Sequence, residues 1–314
     1  MQKIAITMGD PAGIGPEIIL KALQYVDVSN LLLIGNRDVF EKNEKICGIK
    51  LPENLEFFNI QYDASKIKPS IDCACSGELS YLALKTACDF VNQGKVSSIA
   101  TAPLSKNALS LAGYNYSGQT EILQKELGDN EHSAQMLFVA ESLKILLLTR
   151  HLPLRDVAAN ITRENIINTF LILNAELKTK FKCPVPKIAM CALNPHAGEN
   201  GLLGFEEIEI IDPAIQELRR KGVNAEGAFS ADTLLGKAIN EYKNAPYDAY
   251  VACYHDQALP AIKAIGLDKV LNITIGLKAL RSSPSHGTAF DIAYQNKADY
   301  RSMLNAINFL QNLM

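Results

Sequence analysis

The chain reads as an α/β protein with largely parallel strands. Three observations predict this. Its β-leaning segments are short continuous apolar runs, the pattern of strands covered on both faces. Helical patterns lie between those runs along the chain. A length of 314 residues is ample for two domains of this kind.

The elements follow in order. Residues 3–8 (KIAITM) form a first strand that stops at Gly9-Asp10-Pro11. Gly13 and Gly15 then lead to Pro16, well placed in the first turn of a helix because its missing N–H would be unpaired there. LLLIGN (31–36) is a second strand, and SYLALKTACDFVNQG (80–94) is a helix closed by Gly94. SSIATAP (97–103) is a third strand, whose following loop carries Lys106. Further strands are predicted at 142–149, 187–193, 248–254 and 270–277, and helices at 164–181 and 211–222. No repeat or Pro/Ser-rich linker marks a domain boundary.

Composition excludes several classes. With 48% hydrophobic and 21% charged residues, the chain can bury a core and is not a disordered tail. A net charge of −3 leaves no basic excess for a phosphate backbone, so no nucleic-acid partner is expected. The longest apolar runs (31–34 and 145–148) fall far short of the roughly 18 residues a membrane helix needs, so no membrane partner is expected either. The first residues lack the pattern of a signal peptide, and a cytoplasmic location is expected. The seven cysteines are scattered and mostly in apolar surroundings, as reduced thiols would be. Cys73-Ala-Cys75 lacks the two-residue gap of a redox or zinc pair.

In open α/β sheets, ligands bind beyond the carboxyl ends of the strands. Three of the five histidines stand there: His151 after LKILLLT, His196 in Asn194-Pro195-His196, and His255 after DAYVACY. One strand-end histidine is more often a hydrogen-bonded loop residue than a ligand. Three placed alike point to a divalent-metal site with an open coordination position, for zinc, cobalt or magnesium. None has the i, i+4 spacing of a protease zinc motif. His132, in a polar stretch, reads as a surface residue. The loop at 8–17 (MGDPAGIGPE) matches neither common nucleotide-binding glycine pattern, although Asp10 and, further on, Lys106 are candidate substrate contacts. Lys263, Asn272 and Arg281 together would suit an anionic, phosphorylated substrate. Asn272 reads equally well as a structural hydrogen-bonding residue. Residues 285–291 (SHGTAFD) form a polar turn into a helix, a place that welcomes a cofactor phosphate.

The segments MGDPAGIGPE, TAPLSK, GQTE (118–121), RHLPL, LNPHAGE, YHDQALPAIK and RSSPSHGTAFDIA occur in that order over residues 8–293. Together they resemble the 4-hydroxythreonine-4-phosphate dehydrogenases of the pyridoxal phosphate pathway, and HGTAFDIA resembles the adenosine-binding loop of isocitrate and isopropylmalate dehydrogenases. The resemblance implies a homodimer of two-domain α/β subunits, with each site in an interdomain cleft completed by the partner. The expected domains are 1–116 with 263–314, and 117–262. It implies metal ligation by His151, His196 and His255, and substrate contacts from Gln119, Thr120, Lys263, Asn272 and Arg281. His286, Gly287, Thr288 and Asp291 are the implied cofactor contacts. NAD, or NADP, would take a hydride from C3 of 4-phosphohydroxy-L-threonine, the metal acting as Lewis acid on the C3 oxygen, and the 3-oxo acid would lose CO2. Lys263 is the candidate proton relay. The family usually has His where this chain has Gln119, which can donate a hydrogen bond to phosphate but carries no charge. That departure keeps open a dehydrogenase of another phosphorylated hydroxy acid, such as threonate 4-phosphate. A phosphotransacetylase-like acyltransferase is the alternative from a different class.

Overall fold

The computed structural model describes residues 3–129, 132–266 and 268–314. The chain divides into two compact units, one running to Ala134 and resuming at Leu271, the other spanning Gln135–Val270. The junctions expected from sequence, 116/117 and 262/263, differ from these for packing reasons. The helix following residue 117 lies on the helix at 74–92, where Asn92 Nδ2 donates to Glu126 O at 3.2 Å. Ile262 and Val270 both belong to the apolar core of the second unit.

The first unit contains β1 (Lys3–Thr7), α1 (Gly15–Ala22), β2 (Leu31–Gly35), α2 (Arg37–Cys47), β3 (Glu56–Asn59), α3 (Ala74–Asn92), β4 (Val96–Thr101), α4 (Lys106–Leu111) and α5 (Gln119–Leu127). The second contains β5 (Gln135–Ala140), β6 (Leu143–Leu147), α6 (Leu154–Asn160), α7 (Arg163–Thr179), β7 (Lys187–Cys191), α8 (Asp212–Arg220), β8 (Asn224–Phe229), α9 (Ala231–Asn240), β9 (Ala249–Ala252) and α10 (His255–Lys263). The chain then returns to the first unit with β10 (Leu271–Ile275), β11 (Leu280–Ser283) and α11 (Arg301–Leu313).

Strand order in the first unit is β3-β2-β1-β4-β11-β10, parallel except for the antiparallel β10–β11 hairpin. In the second it is β5-β6-β9-β7-β8, parallel except for β5–β6. The predicted α/β class with largely parallel strands is therefore what the chain forms. β1, β2, β7 and β9 are buried almost throughout, as continuous apolar strands require. Helix starts carry the expected side chains: Asn36 accepts from Val39 N, Ser105 from Ala108 N and Thr162 from Asn165 N. All seven cysteines are free thiols. No helix among the described residues is long and apolar enough to cross a membrane.

Candidate active site

In the first unit, polar side chains gather where β4 and β11 meet the loop at 102–105 and the start of α5. Arg281 is 5% exposed and donates through Nε to Thr101 Oγ1 at 2.8 Å. Burial draws its pKa down to about 10, with the Glu121 carboxylate acting in the opposite sense. The guanidinium is thus charged at neutral pH, and its remaining N–H groups have no hydrogen-bond partner among the described residues. Thr120 is buried in the first turn of α5. Beside it, Gln119 Nε2 donates to Ala102 O at 2.9 Å. One amide hydrogen of Gln119 is thus engaged by a protein carbonyl, the second is left for another acceptor, and Oε1 is buried without a partner. Lys106 opens α4 and leans over Gly118, where an added Cβ would lie 3.8 Å from Lys106 Cε. Asn272, on β10, also keeps a buried Oδ1 with no partner, so the structural reading of its acceptor finds no support.

The loop after β1 is tied to these groups. Asp10 N donates to Pro103 O at 2.8 Å, and a Cβ on Gly9 would stand 2.3 Å from that same oxygen. Only glycine fits there, because Gly9 also has φ +67°. The Asp10 carboxylate, fully buried, accepts from Ala12 N at 2.8 Å and Ser76 Oγ at 3.4 Å. Burial outweighs these bonds and raises its pKa from 3.8 to about 6. Further along the same loop, Ile14 N donates to Thr288 O at 3.0 Å and Tyr294 donates its hydroxyl to Pro11 O at 2.7 Å. The expected cofactor loop is therefore seated on the first glycine loop. His286, Gly287 and Asp291 are exposed and Thr288 is half-buried, with open space at Gly287. Sequence reasoning missed the contribution of Gly13, which lets Thr288 approach; the unexplained glycine was the available signal.

In the second unit, His151 and His255 face each other with ring centroids 5.7 Å apart. They share a cavity of about 440 Å³ with Arg150, Leu152, Tyr254 and Asp256. His255 is the first residue of α10, and its Nδ1 lies 2.5 Å from Asp256 Oδ1, leaving Nε2 for other contacts. Lys263 closes the same helix. Gln257 joins two strand ends, accepting from Cys253 N at 2.7 Å and donating to Ala192 O at 2.8 Å. Thr149 Oγ1 donates to Cys253 O at 2.7 Å and so ties in the strand end that carries His151.

His196 stands apart in conformation. It begins a run, His196–Asn200, in which every φ lies between 46° and 78°. A left-handed backbone costs about 1–2 kcal/mol per residue outside glycine, and only Gly198 is exempt. Among the described residues no three His, Cys, Asp or Glu side chains are grouped closely enough to hold a metal ion. The structure thus brings together two of the three predicted histidines and leaves His196 exposed elsewhere on the unit. Two imidazoles at this spacing suit one ion with further positions to fill. His132, expected on the surface, is half-buried and has Nδ1 2.7 Å from Asp129 Oδ1.

Parallel strands with polar groups gathered beyond their carboxyl ends define the class of α/β proteins in which ligands bind at that end of the sheet. The particular relationship is specific. The model of the family described as "Pyridoxal phosphate biosynthetic protein PdxA" matches residues 17–310, and the chain belongs to that family. It is 37% identical, over 98% of its length and 97% of the relative's, to the 4-hydroxythreonine-4-phosphate dehydrogenase of Sulfurihydrogenibium sp. strain YO3AOP1. The crystal structure of the Klebsiella pneumoniae 4-hydroxythreonine-4-phosphate dehydrogenase superposes with a TM-score of 0.88 at 33% identity, covering 100% of this chain and 99% of that one. A branched-chain phosphotransacylase from Enterococcus faecalis covers 99% of both chains at 12% identity and a TM-score of 0.58, a likeness of fold alone.

Proposed function

We propose that the chain is a dehydrogenase that oxidises 4-phosphohydroxy-L-threonine at C3 to 2-amino-3-oxo-4-phosphooxybutanoate, which decarboxylates to 3-amino-2-oxopropyl phosphate in pyridoxine 5′-phosphate synthesis. The observation that carries this reading is the end-to-end likeness, at 37% identity, to a dehydrogenase of that name. Low identity to the phosphotransacylase weighs against the acyltransferase alternative.

The assigned roles follow from chemistry. Arg281 offers buried positive charge and free N–H groups to the phosphate, and Thr120 adds a hydroxyl. Asn272 keeps a buried acceptor for an ammonium or hydroxyl donor of the substrate. Gln119 fixes the start of α5 through Ala102 and presents an acceptor of its own. Lys263 relays a proton from the C3 hydroxyl. His151 and His255 hold a divalent ion (zinc, cobalt or magnesium), and His196 is the third ligand. Because no single chain groups three such side chains among the described residues, we assign completion of the metal site to a homodimer in which the partner contributes. Exposed Leu154 (73%) and Leu202 (83%) support such burial by a second copy. When bound, the ion supplies Lewis acidity at the reacting oxygen and NAD, or NADP, the hydride acceptor. His286, Gly287, Thr288 and Asp291 form the dinucleotide contact. Seven free thiols suit a reducing cytoplasm.

The test is NADH formation from 4-phosphohydroxy-L-threonine by purified protein, with and without a chelator. A chelator-sensitive rise is expected. Turnover of threonate 4-phosphate alone would move the assignment to a related dehydrogenase, and turnover of neither would overturn it.

A further inference from the structure

Glu207 is 3% exposed and has no cation beside it in the hydrogen bonds and ion pairs of the described residues, and its hydrogen bonds go to groups given no role above. Its Oε1 accepts two backbone N–H groups, those of Leu193 and Asn194, each at 2.8 Å. Its Oε2 accepts from Asn194 Nδ2 at 2.9 Å, a donor that also reaches Glu206 Oε2 at 2.7 Å. Gly198, inside the left-handed run, leaves room for the carboxylate: a Cβ there would stand 2.7 Å from Oε2. Glu207 itself begins a single π-helical turn, Glu207–Ile211, that runs into α8. Such wide turns are rare and are frequent at functional sites.

These contacts all fall on one short segment. It connects the end of β7 to the left-handed run that starts with His196. A run of this handedness does not hold itself, because non-glycine residues are unfavourable there. Two converging N–H bonds to a charged oxygen are the strong kind, and they fix the peptide planes of Leu193 and Asn194. Asn194 is two residues before His196, so its orientation sets the direction in which the imidazole leaves the strand end.

We propose that Glu207 is a positioning residue for His196, its carboxylate clamping Leu193 and Asn194 so that the imidazole is presented in one orientation to the metal. This rests on the proposed role of His196 as a ligand. Gln257 does the equivalent for the strand end before His255, through Cys253 N and Ala192 O.

The experiment is titration of the metal-free full-length protein with Co²⁺, read by the visible absorption of the bound ion and by calorimetry. The proteins compared are wild type, Glu207→Gln, Asn194→Ala and His196→Ala. Glu207→Gln keeps an acceptor for the backbone N–H groups but turns an NH2 toward Asn194 Nδ2. We expect it to weaken Co²⁺ binding about tenfold or more, the scale on which groups behind metal ligands act. The absorption bands should change, while the thermal midpoint of the metal-free protein stays near wild type. If Glu207→Gln does not fold, Asn194→Ala, which removes the Nδ2–Oε2 bond and leaves both backbone N–H bonds in place, is expected to weaken Co²⁺ binding in the same direction by a smaller factor, about threefold. Wild-type affinity and spectrum in a folded clamp variant, with weakened binding in His196→Ala, would overturn the positioning role. Unaltered Co²⁺ binding in His196→Ala would instead overturn the ligand assignment on which it rests.

Discussion

The two units treat polar groups in opposite ways. In the first, Arg281, Asp10 and the amide of Gln119 are buried, and each is already bonded to protein: Thr101, Ala12 with Ser76, and Ala102. In the second, the histidines stand at exposed or half-exposed strand ends, with Leu154 and Leu202 open to solvent nearby in sequence. A buried charge is tolerated only where partners hold it in place, so the first set has its geometry without a ligand. The exposed set depends on something added, for which we propose an ion and a second subunit. Ligand binding should therefore organise the second unit far more than the first.

The sharpest way to break this comparison is at His151. His151→Ala should remove turnover by a thousandfold or more, on the order of 4 kcal/mol of barrier, while the metal-free protein unfolds as wild type does. Turnover measured with saturating metal, beside a thermal melt, checks it. Retained activity would sink the metal assignment. Arg281→Lys probes the opposite case. Lysine keeps the charge but cannot reproduce a planar fork bonded to Thr101. We expect about a hundredfold lower kcat/KM, roughly 3 kcal/mol, together with a lower melting temperature, because a buried group is disturbed. An effect on KM for substrate with none on stability would show that Arg281 is less constrained than its burial implies.

Asp10 supplies a pH signature. Its folded pKa, about 6, lies above its ordinary 3.8, so the folded state prefers the protonated form. The stability linked to that preference is fully present below pH 3.8 and is lost as pH rises through about 6. Asp10→Asn cannot ionise, and asparagine can still accept from Ala12 N. The variant should gain on wild type between pH 4 and pH 7, by about 2–3 kcal/mol at most. Denaturant unfolding at several pH values measures this, and a pH-independent difference would mean that Asp10 is not strained by its burial.

The same contrast explains what the sequence reveals. β1, β2, β4, β6, β7, β9 and β10 are legible because burial on both faces leaves a continuous apolar run. β3, an exposed edge strand of the first unit reading EFFN, and β8, an edge strand of the second reading NAEGAF, have no such constraint. β11 (LRSS) is wholly buried yet polar, since it carries Arg281 into the site, and strand propensity does not report that. The histidines are legible by counting, because a rare residue recurs at equivalent strand ends. That only two of them meet within one chain is not legible, since it depends on backbone direction after β7. Glu207 is hidden for a related reason: it reaches back fourteen residues to Leu193 across a left-handed run and a π-turn. Neither leaves a periodic mark in sequence.

The smallest expected effect is also the most discriminating, because it concerns one backbone contact. Gly13 does not have a positive φ, so alanine there is conformationally acceptable, but its Cβ would lie 2.9 Å from Thr288 O and 3.2 Å from Phe290. The carbonyl of Thr288 also receives the Ile14 N–H. The backbone of the loop at 285–291 would have to shift, at a cost of about 1–3 kcal/mol to the packing of that loop. If that loop holds the dinucleotide, Gly13→Ala should raise the Kd for NAD several-fold, about 1 kcal/mol. Co²⁺ affinity should stay unchanged, since the proposed ligands belong to the other unit. Paired titrations with NAD and Co²⁺ on one preparation separate the outcomes. A change in both would show that the first loop communicates with the histidines, and the two units could then no longer be treated as one preformed and one ligand-organised half. A change in neither would remove the 285–291 loop from the dinucleotide site.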